Sequence, residues 1–297
     1  MMEEIKRATG LLVIEVVNSN PNGNPDQESD PRQRPNGLGE ISPVSFKRKL
    51  RDLLDDESES PFLCSLPEEY RNDLKHYQIL EHRGRDRKSI TAEMNEGIEK
   101  GKFDQEKFRN SIFVQKYWDA RVFGNTFLEE GGDKGFIKTG VVQFGVGVSI
   151  SPINIIRQTN TNKAGVEEGK NAGMAPLAFR IVEHGVYCMP FFVNPNYANK
   201  SGCTAKDIEL LKLLIPQAYD MNRSAIRPDV RIRHAWYIEH KSALGSCPDY
   251  MLFEALTPER IGNAADPSES WKDYIDKTEL PEELASRVAS VVDLVNL

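Results

Sequence analysis

Leu11-Leu12-Val13-Ile14-Glu15-Val16-Val17 runs directly into Asn18-Ser19-Asn20-Pro21-Asn22-Gly23-Asn24-Pro25-Asp26. The first half is apolar everywhere except Glu15, the pattern of a central strand covered on both faces. The second half can neither continue a strand nor begin a helix, because Pro21, Gly23 and Pro25 break both patterns. Its Asn side chains and free amides make a loop rich in hydrogen-bond donors. Further on lies Ser45-Phe46-Lys47-Arg48-Lys49-Leu50-Arg51, a strongly basic segment of helical pattern. A donor-rich loop leading to a basic helix points to a phosphate backbone as ligand.

Outward from this stretch, Ser42-Pro43 reads as a helix start, with Ser as N-cap and Pro at the first helical position. Phe46, Leu50, Leu53 and Leu54 share one face at helical spacing, which sends the cations outward. Val142, Phe144, Val146, Val148 and Ile150 alternate with polar residues or glycine, a period-two strand signal. Gly185–Val193 and Arg231–His240 read as two further strands. Thr204 to Tyr219 reads as a helix with Thr204 and Asp207 spaced as a capping box. In the segment 58–138 the best helix is Asp104–Trp118. The core order is β-α-β-β-α-β, an α+β ferredoxin-like or RRM-like plan. It divides into a core (1–57, 139–150 and 184–253), an insertion helical in parts (58–138), an excursion at 151–183 too long for a passive loop, and an acidic C-terminal segment (254–297) expected to pack on that core or on a neighbouring subunit.

At 297 residues and 39% hydrophobic content the chain can bury a substantial core. No stretch is long and apolar enough to span a membrane, and Met1-Met2-Glu3-Glu4-Ile5 lacks the apolar core of a secretory signal. Cys64, Cys188, Cys203 and Cys247 are scattered without a Cys-x-x-Cys pair, so neither a zinc site nor a disulfide framework is expected. A cytoplasmic protein without cofactor is the simplest reading. The net charge of −7 is unevenly placed: residues 254–297 carry ten acids and four bases, leaving the rest at −1. Local rather than overall potential governs phosphate binding, so the charge neither favours nor excludes nucleic acid.

Lys47, Arg48, Lys49 and Arg51 suit phosphates, or equally a solvated helix face. Arg83-Gly84-Arg85-Asp86-Arg87-Lys88 is a second basic run with the same two readings. Arg157-Gln158-Thr159-Asn160-Thr161-Asn162-Lys163 is a backbone-contact ribbon or a plain surface hairpin. Gly145-x-Gly147 lacks the third glycine of a dinucleotide fingerprint. Asp26, Glu28 and Asp30 lack the rest of a calcium-loop pattern. His184 with Cys188, and His234 with His240, share strand faces without a visible third partner, as buried histidines do. No catalytic set and no metal ligands emerge.

Taken in order, Asn18-x-Asn20-Pro21-Asn22-Gly23-x-Pro25-Asp26, Phe46-Lys47-Arg48-Lys49-Leu50-Arg51, Asp119-Ala120-Arg121-Val122-Phe123-Gly124, Val142–Ile150 and Arg157–Asn162 form a specific set. In these the chain resembles the backbone subunit of type I CRISPR surveillance complexes (Cascade), in the Csd/Csh branch of the RAMP superfamily and most like type I-C. The resemblance implies an RRM-like palm, a helical insertion and a thumb-like hairpin within 151–183. It further implies a non-catalytic subunit that stacks with its own copies as a filament along the CRISPR guide RNA. Such a subunit grips the sugar-phosphate backbone and leaves bases free to pair with target DNA. Its other partners would be the guide-processing (5′-handle) subunit and the large and small subunits. Carried onto this chain, RNA contacts would come from Asn22, Gly23, Asn24, Ser45, Lys47, Arg48, Lys49 and Arg51. Arg157, Gln158 and Asn160 would lie at the thumb base, with Met174 as a wedge. Arg121, with Asp119, would bind RNA or fix the insertion. Position 24 departs from the acid expected in many relatives. Type III relatives cleave RNA with an Asp in the loop after the first strand, so Asp26 and Asp30 carry the alternative of an endoribonuclease.

Overall fold

A computed structural model of the chain describes residues 4–55, 61–82, 106, 109–125, 138–162 and 175–296. Its principal strands are β1 (Ala8–Ser19), β2 (Leu38–Ile41), β3 (Val142–Phe144), β4 (Gly147–Pro152), β5 (Ile155–Asn162), β6 (Ala175–Val193), β7 (Val230–Glu239) and β8 (Ser290–Asp293). The main helices are α1 (Pro43–Leu54), α2 (Trp118–Phe123), α3 (Ala205–Leu214) and α4 (Asp249–Leu256). All eight strands join one antiparallel sheet in the order β8-β7-β1-β6-β4-β2, with β3 and β5 also pairing along β6.

β1 is central and sheathed on both sides, which explains its lack of polar alternation. Leu12, Ile14 and Val16 enter the larger core with Phe46 and Leu50 of α1 and Ile208 and Leu211 of α3. Leu11 and Val13 enter a second core with Val186, Trp236 and Ile238, covered by Leu252, Leu256, Tyr274, Leu280, Leu284 and Val288. The acidic C-terminal segment thus forms a layer over one face of the sheet, and β8 extends its edge along β7. Glu15, the one acid of β1, is buried. Burial opposes its charge, but the His184 hydrogen bond and the Arg233 and Arg231 charges outweigh that and hold its pKa below the usual range.

Local signals act as their residue types dictate. Ser42 Oγ accepts from Ser45 N–H at 3.2 Å, with Pro43 opening α1. Thr204 and Asp207 close a reciprocal capping box on α3. α3 gives way at Ile215 to a 3-10 turn containing Pro216, which lacks the N–H a longer α-helix would use.

Three expectations change. The alternating run 142–150 is two strands, with its buried phase reversed. Val142 and Phe144 are buried, Val146 is exposed, and Gly147, Ser149 and Ser151 take the inner positions. The cause lies opposite, where Pro190 has no N–H for the ladder. Gly145 N–H donates to Pro190 O at 2.7 Å, and the pairing slips by one residue between Phe191↔Phe144 and Cys188↔Val148. The helix expected over 104–118 is not continuous in its described part. A short helix Ile112–Gln115 ends, Tyr117 bridges to Gln78, and α2 begins anew at Trp118. Nor does α1 turn all its cations outward: Lys49 and Arg51 are buried. The described parts of 58–138 add Tyr70, Tyr77, Ile79 and Trp118 to the main core. Among the described residues no helix is long and apolar enough to cross a membrane.

Candidate nucleic-acid interface

The loop after β1 is stitched to both of its flanks. Asn22 Oδ1 accepts from Ser42 N–H at 2.7 Å, fixing the loop against the start of α1. Asn20 Nδ2 donates to Ser29 O and to Arg180 O, both at 2.9 Å, fixing it against β6. Asn24 Oδ1 accepts from Asp26 N–H at the head of a one-turn 3-10 helix, and Gly23 and Asn24 pair with Pro31 and Asp30. These Asn side chains are therefore committed largely to the shape of the loop. The donor-rich lip read from the sequence becomes a rigid lip with fewer free amides.

On the far side, β1 stops pairing with β6 at Val182, yet β6 and β5 continue together from Val182↔Ile155 to Ala175↔Asn162. They form a two-stranded ribbon beyond the sheet. Arg157 and Gln158 lie exposed at its foot. Asn160 lies on β5. Met174, and the basic run 83–88, fall outside the described residues.

Asp30 joins loop to ribbon. Arg157 donates to it through Nε (3.0 Å) and Nη2 (2.5 Å), and Arg180 through Nη1 (3.1 Å). Arg157's hydrogen bonds work against burial and, with Arg180's, hold the Asp30 carboxyl below its ordinary pKa. Arg180 escaped the sequence reading. Its signal is positional, since it stands directly across from Arg157, and that register is invisible before the hairpin is drawn.

The basic helix divides. Lys47 and Arg48 are half-buried. Lys47 Nζ sits 5.1 Å from the Phe123 ring centre, and burial with the nearby Arg51 charge lowers its pKa. Arg48 donates to Glu81 O at 2.5 Å and lies 3.7 Å from Asp52. Ser45 is half-buried in the first turn. Arg51, assigned to the ligand from the sequence, and Arg121, left open between RNA and fixing the insertion, are both committed inside the protein. Arg51 Nε donates to Asp119 Oδ2 at 2.9 Å, and Asp119 also accepts from Leu80 N–H at 2.7 Å. Arg121 clasps Asp207 at 2.6 Å and donates to Val114 O and His76 O. All four charged groups are at most 4% exposed, so their geometry serves the fold.

Three histidines, His184, His234 and His240, behave likewise. Glu15, His184, Ser268, Tyr274 and Ser151 form a buried chain of hydrogen bonds. The Glu-His-Ser order resembles a hydrolytic triad. Ser268 is 4% exposed and its Oγ is shared by His184 and Tyr274, so it pins the C-terminal layer to the sheet. His234 lies between Asp293 (2.7 Å) and Asp276 (2.9 Å), and His240 beside Thr9 (3.0 Å). Burial pushes the Cys188 thiol up to about 12, away from reactivity. Among the described residues no cluster of three or more His, Cys, Asp or Glu is placed to hold a metal ion.

The family model described as CRISPR-associated protein Cas7 matches residues 6–279. A relative from Haloferax volcanii described as CRISPR-associated protein Cas7 is 25% identical over 316 residues, covering 100% of this chain and 87% of the relative. Two solved structures are similar to the chain. One, described as a CRISPR RNA-guided surveillance complex, pre-nicking, has 11% identity, a TM-score of 0.44 and 77% coverage of each chain. The other, described as a CRISPR RNA-guided surveillance complex, has 12% identity and a TM-score of 0.38, covering 76% of this chain and 68% of that one.

Proposed function

Since the chain belongs to the CRISPR-associated Cas7 family, we propose that it is a guide-RNA-binding backbone subunit of a type I, I-C-like Cascade. In this reading it repeats along the guide, holds its sugar-phosphate backbone, and presents bases to target DNA beside the handle, large and small subunits. The four inner strands β7-β1-β6-β4, with α1 and α3 as crossovers, support a ferredoxin-like palm. The ribbon of β5 and β6 is the base of the thumb.

One observation carries the reading. The loop after β1, the start of α1 and the foot of the ribbon, separate in sequence, are bonded into one polar surface through Asn22–Ser42, Asn20–Arg180 and Asp30–Arg157. On it the ligand-facing residues are Gly23, Asn24, Ser45, Lys47, Arg48, Arg157 and Gln158, with Asn160 further along β5. Arg51 and Arg121 are held in buried ion pairs with Asp119 and Asp207, and Lys49 is buried on α1, so none of the three is counted among them. A surface of amides and cations grips any sequence alike, as a guide holder must.

The test is RNA affinity against salt. Lys47→Ala with Arg48→Ala should weaken binding equally across spacer sequences and flatten the log–log salt slope by about 0.7 per lost phosphate contact. An unchanged slope overturns this placement. Asp30 argues against the endoribonuclease alternative, because two guanidinium groups already occupy its carboxylate. Regular cuts in complementary RNA with Mg²⁺, abolished by Asp26→Ala or Asp30→Ala, would reverse that conclusion.

A further inference from the structure

Asp30 and Glu28 both bind Arg180, yet they stand in opposite circumstances. The side chain of Asp30 is 11% exposed and that of Glu28 is 80% exposed, while Arg180 between them is 21% exposed. Arg180 gives Nη1 to Asp30 and Nη2 to Glu28. Arg157 turns Nε and Nη2 inward to Asp30, although its side chain is 61% exposed.

The register sharpens this. Arg157 and Arg180 are direct cross-strand partners at the foot of the ribbon. Like charges so placed repel and splay a hairpin. Asp30, carried on a separate loop that Asn20 also ties to β6, fits between them and converts the repulsion into a fixed pair. Both guanidinium groups line a cleft of ≈ 630 Å³, together with Gln27, Glu28, Gln33 and Arg34. That lies within the roughly 300–1,000 Å³ of clefts that take small ligands. Arg34 is paired with Glu40.

We propose that Arg157 and Arg180 form a seat for one backbone phosphate of single-stranded RNA at the foot of the thumb. Asp30 is its positioning residue, and Glu28 is a displaceable occupant that the phosphate replaces. This rests on the RNA-binding reading above. The physical basis is that a planar guanidinium held by one inner carboxylate presents its remaining N–H groups in a set direction. The buried acid is a fixture. The exposed acid holds Arg180 only through a screened surface pair, which a phosphate can exchange.

The two acids therefore predict effects of opposite sign. Anisotropy of a fluorescein-labelled oligouridylate with the full chain reads them. Glu28→Gln should tighten binding several-fold, by more than Asp26→Asn, which makes the same charge change nearby in the same loop. Asp30→Asn also makes the cleft more positive, yet it should weaken binding several-fold because the arginines lose their aim. Arg180→Ala and Arg157→Ala should each flatten the salt slope by about 0.7. Hydrogen exchange of residues 155–159 and 179–182 reports whether Asp30→Asn keeps the ribbon paired. If it does not, Glu28→Gln and Arg180→Ala still decide the matter. Equal or tighter binding by a ribbon-paired Asp30→Asn, a Glu28→Gln effect no larger than that of Asp26→Asn, or an unaltered slope in Arg180→Ala overturns the seat. If the slope falls for Lys47→Ala with Arg48→Ala but not for Arg180→Ala, only this inference fails. If the wild-type chain binds no oligouridylate, both readings fail.

Discussion

Replacing Asp119 by Ala should lower thermal stability sharply while leaving the proposed RNA-facing surface chemically unaltered. Asp119 is 1% exposed and Arg51 is 4% exposed. The carboxylate accepts from Arg51 Nε at 2.9 Å and from the amides of Leu80 (2.7 Å) and Glu81 (3.2 Å). Removing one partner of a buried pair costs about 3–5 kcal/mol, because the other charge stays desolvated. Glu81, half-exposed and 3.1 Å from Arg51, partly compensates, which places the loss near about 3 kcal/mol. An unfolding entropy of about 2.1 cal/mol/K per residue makes 1 kcal/mol worth about 1.6 °C in a chain of this length. The melting temperature, followed by circular dichroism at pH 7 in fixed salt, should therefore fall by about 5 °C. Asp119→Asn, which keeps an acceptor but not the charge, should fall between. A melting temperature within about 1 °C of wild type would refute the reasoning. So would tighter RNA binding at unchanged stability, which would mean that the Arg51 charge had been released towards the ligand.

Docking of the C-terminal layer should depend on pH. Burial opposes the charged His234 imidazole, but the Asp293 hydrogen bond and the Asp276 and Asp293 charges outweigh it and raise its pKa above 6.5. Its contribution is thus complete below about pH 6.5 and lost as pH rises through the raised value. Burial also opposes the Asp293 charge, but His234 and the backbone amides outweigh it. Its lowered pKa makes its contribution complete above about pH 3.9 and lost on further acidification. Protection against hydrogen exchange at residues 290–296, taken relative to the unfolded chain at each pH, should be greatest between those limits, and His234→Gln should abolish the alkaline limb. Gly10→Ala should lower the melting temperature by several degrees, because the added Cβ would lie 2.0 Å from the buried Phe191 ring. Phe191→Leu in the same chain should recover part of the loss. Maleimide should label Cys64 first, because it alone of the four cysteines is exposed, and mass spectrometry of the native chain reads the order.

Much of the frame was legible because short-range chemistry wrote it. Leu11–Val17 could be read as a doubly covered strand because every side chain but one is apolar. Ser42-Pro43 and Thr204…Asp207 could be read as helix starts because capping is a matter of three or four residues. The phase of 142–150 was not legible, because the residue that breaks it, Pro190, sits on another strand. The site divides in the same way. Residue types placed amides and cations after β1, on α1 and at 157–162, and the order of those motifs pointed to the family. A guanidinium reads identically in sequence whether it faces water or a buried carboxylate.

Composition and spacing by themselves thus determined the central strand, the two helix starts and the presence of polar, basic segments, since these depend on neighbours along the chain. Which arginines remain available was decided only by tertiary structure, which sets Asp119 against Arg51, Asp207 against Arg121, and Asp30 between Arg157 and Arg180. Those partners lie between about seventy and 150 positions apart in the chain, and the energy of an ion pair depends on distance and burial rather than on residue order.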